Sequence, residues 1–134
     1  MEKKKIVICA SVSFEDQIVE WKNKLEERGF EVLRYPTKIR GNLLDGYNKE
    51  FLEHYDAINK ADMILALNLD KNGIQGYIGP GVFAEMAFAL GLNRAFNKNI
   101  EVCYLNPIAK EGLPYSDELE LWQNLGWIKQ LILN

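Results

Sequence analysis

Residues 5–10 read KIVICA, a short run rich in β-branched side chains with no polar residue after Lys5. Consecutive apolar residues leave neither face of a strand for water, so this segment belongs between two covering layers. The chain on its C-terminal side supplies those layers. Glu15–Arg28 spaces Ile18, Trp21 or Lys22, and Leu25 as one helical face, and Gly29 stops it. Glu31–Tyr35 (EVLRY) reads as a shorter strand nearer an edge. Tyr47–Lys60 restores helical spacing with Tyr47, Phe51, Tyr55 and Ile58, and Ala61–Asn68 (ADMILALN) is a third strand. Pro80 opens a helix to about Ala95, proline being tolerated in a first turn. Ile100–Leu105 (IEVCYL) is a fourth strand, and Ser116–Gly126 an acidic helix with Ser116 expected as its N-cap. Trp127–Leu133 fits either a fifth strand or more helix.

Strands alternating with helices imply a parallel sheet wrapped by right-handed crossovers, here as one domain over residues 1–134. Ligands of such sheets bind beyond the carboxyl ends of the strands. Those ends carry Ala10-Ser11-Val12-Ser13, Asn68-Leu69-Asp70 and Asn106-Pro107. Pro36 through Gly46 has no periodicity, and long loops of that kind often cover a site.

The composition of the 134 residues, 48% hydrophobic and 26% charged, is that of a globular chain, which excludes disorder and fibrous repeats. A net charge of −3 argues against a nucleic acid polymer as partner. No segment approaches the roughly 18 apolar residues of a membrane helix. The start, MEKKKIVICAS, has a basic lead but an apolar run shorter than the about 7–15 residues of a secretory signal. A cytoplasmic protein is expected, with Cys9 and Cys103 as buried packing residues.

Several nucleotide sites are missing from the sequence. The first strand-to-helix turn, CASVSFED, lacks the glycines of a dinucleotide fingerprint, and no G-x-x-x-x-G-K-[ST] loop occurs. His54 is the one histidine and no Cys or His cluster in sequence, so neither a metal nor a cofactor is expected.

The third helix reads PGVFAEMAFALGL, and Glu85 is the one ionisable side chain from Val82 to Leu92. Its neighbours at helical spacing, Gly81, Val82, Phe88 and Ala89, are all apolar. A helix apolar all round is buried, so the carboxylate must be paired or face a wet cavity. A capping role or a gap to solvent explains Glu85 as well as chemistry does. The loop before it favours chemistry: GIQGYIGPG places Gly73, Gly76, Gly79 and Gly81 around Ile74, Tyr77 and Ile78. Glycines permit close backbone approach, and the interleaved aromatic and aliphatics suit a wall for a flat ring.

With these residues the sequence resembles the nucleoside 2-deoxyribosyltransferase superfamily, which includes deoxynucleotide N-glycosidases. The likeness spans the order of elements and is most specific from Asn68 to Ala89, NLDKNGIQGYIGPGVFAEMAFA. LNPI, with PYSDE after it, is similar to a branch outside the superfamily's characterised enzymes. The resemblance implies a flavodoxin-like α/β fold with a parallel sheet of four or five strands. It also implies cleavage or transfer at the N-glycosidic bond of a nucleoside or nucleotide. Glu85 would be the nucleophile that attacks C1′, leaving a glycosyl-enzyme for a second base or water to resolve. Asp70, His54 or a water would assist the leaving base. Ser11, Ser13, Phe14, Asn68, Gly76, Tyr77, Gly79, Gly81, Asn106 and Ser116 are the expected substrate-binding residues.

Two positions depart from the family pattern. His54 stands where the enzymes carry a carboxylate, and Gly79 where they carry an acid or a phosphate-binding serine. A TIR-like glycohydrolase of NAD and a non-catalytic nucleotide-binding module are the alternative readings. The pocket is expected at the ends of the first, third and fourth strands, bounded by Ser11, Ser13, Asn68, Asp70, Tyr77 and Glu85. The family also implies a homo-oligomer, with Leu119, Leu121, Trp122 and Trp127 as candidate contacts.

Overall fold

The computed structural model describes residues 2–133. In chain order its elements are β1 (Lys4–Cys9), α1 (Glu15–Glu27), β2 (Phe30–Arg34), α2 (Leu43–Lys60), β3 (Met63–Ala66), α3 (Pro80–Phe96), β4 (Glu101–Tyr104), α4 (Ser116–Asn124) and β5 (Lys129–Gln130). The strands form one parallel sheet in the order β2-β1-β3-β4-β5, a flavodoxin-like arrangement. β1 lies between β2 and β3, with Val7 opposite Ile64 and Cys9 opposite Ala66. Ile6 to Cys9 are all fully buried, as the unbroken apolar run requires.

The chain steps from β1 to β2 in one direction and from β2 through β5 in the other. Right-handed crossovers then put α1 on one face and α2, α3 and α4 on the opposite face. The two cores follow this division. Ile6 and Ile8 pack with Ile18 and Leu25 of α1, while Val7 and Cys9 pack with Ile58 of α2, Met86 of α3 and Leu119 of α4. Among the described residues, no helix is long and apolar enough to cross a membrane.

Two local expectations are corrected and one open reading is decided. The helix expected from Tyr47 begins at Leu43, because the Asn42 side chain accepts a hydrogen bond from the Asp45 N–H at 3.1 Å and caps it there. Leu43 and Leu44 are exposed, so the buried-face periodicity does not reach them. Ser116 is not a cap: Tyr115 holds that position and the Ser116 hydroxyl donates to the Leu113 carbonyl. The undecided C-terminal segment contributes a two-residue strand, Lys129 and Gln130 pairing with Cys103 and Tyr104. Leu119 and Trp122, two of the candidate contact residues, are buried in the chain's own core.

Just past β3, Asn68 is 1% exposed and ties the strand ends together. Its carbonyl oxygen accepts from the Leu105 and Asn106 backbone N–H groups, each at 2.9 Å, and its amide donates to the Asn106 carbonyl at 2.7 Å. Asn68→Ala takes the side-chain acceptor from the Asn106 N–H and the donor from the Asn106 carbonyl, at about 1–3 kcal/mol each, while the Leu105 N–H keeps the Ala66 carbonyl at 3.2 Å. Urea denaturation of this variant should show a loss of about 2–4 kcal/mol, and a loss below about 0.5 kcal/mol would contradict the clamp.

Candidate functional site

Alternation along β1 sends Cys9 toward the face covered by α2 and α3. On α2, His54 lies one turn before the buried Ile58 and shares its inward face. On α3, Gly79 is the N-cap and Pro80 opens the first turn, after which Val82, Met86 and Ala89 mark the buried stripe. Glu85 borders that stripe. Three elements therefore converge on one point, where His54 Nε2 lies 3.1 Å from Glu85 Oε1 and 3.6 Å from Cys9 Sγ.

Burial grades outward through this trio: Cys9 is fully buried, the His54 side chain is 9% exposed and that of Glu85 18%. Desolvation pushes the Cys9 thiol well above its ordinary range, and the neighbouring Glu85 carboxylate adds to the effect. Tyr55 is pushed up to about 12, first by burial and then by the Glu85 charge.

Glu85 and His54 open into a cavity of about 590 Å³, within the size range of small-molecule sites. Its walls are Ala10 and Val12 after β1, the loop Pro36–Ile39 after β2, the inner side of α2, and Gly81, Ala84 and Glu85 of α3. The long loop thus covers this cavity. Along α2, Phe51 and Tyr55 stack with centroids 4.1 Å apart and planes 12° from parallel. Tyr55 also leans on Phe88 of α3 at 4.9 Å. The outer wall is anchored by Arg34 of β2, whose guanidinium lies 2.7 Å from Glu50 and 3.5 Å from Glu53.

This cavity does not coincide with the expected pocket boundary. The cavity lies toward β2 and α2, and the ends of β3 and β4 do not line it. Glu85, His54 and Gly81 line it; the other expected residues do not. Asn68 and Asn106 hold each other at the strand ends. The Asp70 carboxylate accepts from the Gly76 N–H at 3.1 Å and shapes the glycine loop. Gly76 itself adopts φ +67° with its α-carbon against the Pro107 carbonyl, so only glycine fits there. Gly79 is the α3 N-cap, and Ser116 fastens the start of α4.

Ser11, Ser13, Phe14 and Tyr77 form a separate group around Lys71. The Lys71 ammonium donates to the Ser11 hydroxyl at 2.9 Å, Ser11 and Ser13 share a hydrogen bond at 2.8 Å, and the ammonium lies 6.0 and 5.7 Å from the Phe14 and Tyr77 ring centroids. Neither Cys9 nor the α2 aromatics was expected at the site. Strand alternation offered a signal for Cys9, as the last residue of β1 on the face opposite Ile8. The chain matches no protein-family model and none of the curated proteins.

A partly buried carboxylate and imidazole in contact are energetically coupled. A double-mutant cycle of His54→Ala and Glu85→Ala, read by chemical denaturation, should give a coupling of about 1–3 kcal/mol. Additivity within about 0.3 kcal/mol would show that the contact contributes nothing to stability.

Proposed function

We propose that this protein cleaves or transfers at the N-glycosidic bond of a nucleoside or nucleotide, with Glu85 as the covalent nucleophile. The observation that carries the proposal is the Glu85 carboxylate opening into a cavity walled by the stacked Phe51 and Tyr55. Such a cavity offers a flat aromatic base a stacking surface. An anion beneath the sugar ring stabilises the cationic, oxocarbenium-like transition state and then bonds to C1′.

In the first step a Glu85 oxygen bonds to C1′ and the C1′–N bond breaks, its electron pair leaving with the base. The base takes a proton from water. In-line displacement sets nucleophile and leaving group on opposite faces of the sugar. His54, within 3.1 Å of Glu85, then sits on the nucleophile's side. Its role is to orient the carboxylate by hydrogen bonding to Oε1, so that the other oxygen faces the sugar. Water or a second base then attacks C1′ from the vacated side, regenerating the carboxylate with net retention.

The test is base release from a panel of nucleosides, deoxynucleotides and NAD by wild type and Glu85→Gln. Wild type should release base from at least one deoxynucleoside or its 5′-phosphate. Glu85→Gln should lose about 10³-fold or more in rate while keeping its melting temperature. An active wild type whose Glu85→Gln variant keeps its rate overturns the mechanism, and tight binding without turnover makes the chain a binding module.

The same proposal carries self-association. Leu43, Leu44, Tyr47, Phe51 and Leu52 of α2 are exposed together beside the cavity mouth, an apolar surface that a second copy would cover. Sedimentation at micromolar concentration should give at least a dimer, reduced to monomer by Leu44→Glu with Leu52→Glu. A monomeric wild type would exclude it.

A further inference from the structure

We infer that Cys9, His54 and Glu85 form a binding site for a zinc-class divalent cation, with its fourth coordination position open to the cavity. Each residue offers one ligand atom, and the three atoms lie within 4.8 Å of one another. A tetrahedral zinc with bonds of about 2.3 Å to sulfur and about 2.0–2.1 Å to nitrogen holds those two atoms about 3.6 Å apart. Its nitrogen and carboxylate oxygen lie about 3.3 Å apart. The observed separations are 3.6 Å from Cys9 Sγ to His54 Nε2 and 3.1 Å from that nitrogen to Glu85 Oε1.

The chemistry of the shared nitrogen points the same way. Both contacts of the imidazole are made by Nε2, which has one in-plane direction for either a proton or a lone pair. A single hydrogen atom serves one neighbour well, whereas a cation at that point faces nitrogen, sulfur and oxygen together. The donors come from a central strand and two helices packed on it, so the triangle is held by the framework. A thiolate and an imidazole select zinc, cobalt or copper over magnesium and calcium, which take oxygen ligands.

The exchange balances simply. Cys9 gives its thiol proton to solvent and binds as thiolate, Glu85 binds as the carboxylate, and His54 binds neutral with its proton on Nδ1. The two anionic ligands cancel the charge of the cation, so the site with its water is neutral. Three protein ligands plus a water facing a cavity is the open form of a zinc site, in which the cation polarises that water. Coordination also occupies the carboxylate assigned above as nucleophile, so binding of the cation should block glycosyl transfer. The inference does not depend on that assignment.

Cobalt(II) titration of the tag-free full chain supplies the test, because sulfur ligation and tetrahedral geometry each have an absorption signature. One equivalent should produce a thiolate-to-cobalt charge-transfer band and an intense visible d–d envelope, both displaced by zinc. The chain has two cysteines, and Cys103 packs on the opposite face of the sheet. Cys103→Ala should therefore keep both signals. Cys9→Ala and His54→Gln should each weaken binding by more than about 100-fold, beyond the loss typical of an outer-shell change. Absence of the sulfur band in Cys103→Ala overturns the inference, and this holds even if Cys9→Ala fails to fold. Retention of the band in a folded Cys9→Ala overturns it equally.

Discussion

Burial of both faces of β1 is the constraint from which the architecture follows. A strand without a solvent face needs a hydrogen-bonded neighbour on each edge and a packed layer on each side. β2 and β3 meet the first need. The second is met by reversing the direction of strand addition at β1, which right-handed crossovers convert into helices on opposite faces. α1 alone then covers the side of Ile6 and Ile8, joined by Leu131 and Leu133 from the end of the chain. α2, α3 and α4 share the side of Val7 and Cys9.

The same reversal puts the carboxyl end of β1 where α2 and α3 approach each other, so the last inward residue of β1 meets side chains of both helices. In this otherwise apolar layer a polar group without a partner costs about 1–3 kcal/mol. Cys9, His54 and Glu85 avoid that by meeting one another. The carboxylate faces the cavity, where water can solvate it, and the thiol faces the dry sheet. Burial and a neighbouring anion both hold the thiol in its protonated form.

Much of the frame was legible because it rests on short-range pattern. KIVICA carried the central strand, EVLRY the edge strand, and the proline before an apolar run the start of α3. Glu85 was legible as a carboxylate needing a partner, but the partner was not. Residues 9, 54 and 85 become neighbours only through crossovers, which local periodicity does not encode. Asn68, Asp70 and Gly76 stood out as polar or glycine residues at strand ends. Their hydrogen bonds show that holding the loops together is itself reason for those residue types. The cavity beside Glu85 has its floor at β1 and its far wall at the Pro36–Ile39 loop and the first turns of α2, segments whose approach to Glu85 depends on the crossovers.

What separates the two uses open to Glu85 is where its charge is directed. As a nucleophile it must keep an oxygen free toward the cavity, with His54 satisfying the other oxygen. As a ligand it must turn its charge inward, toward a cation shared with the Cys9 sulfur. Both uses need the anion; the first needs a proton on His54 Nε2 to donate to Oε1 and the second a lone pair there, so the heavy-atom contact alone does not discriminate between them. Cys9 does. A thiol buried beside a carboxylate adds nothing to attack on a sugar carbon in the cavity, whereas a small apolar residue would fill the same place without placing a titratable group there. Without a cation the sulfur only shares a hydrogen bond with His54 Nε2 at 3.6 Å, whereas with one both atoms become ligands, the use that draws on all three side chains.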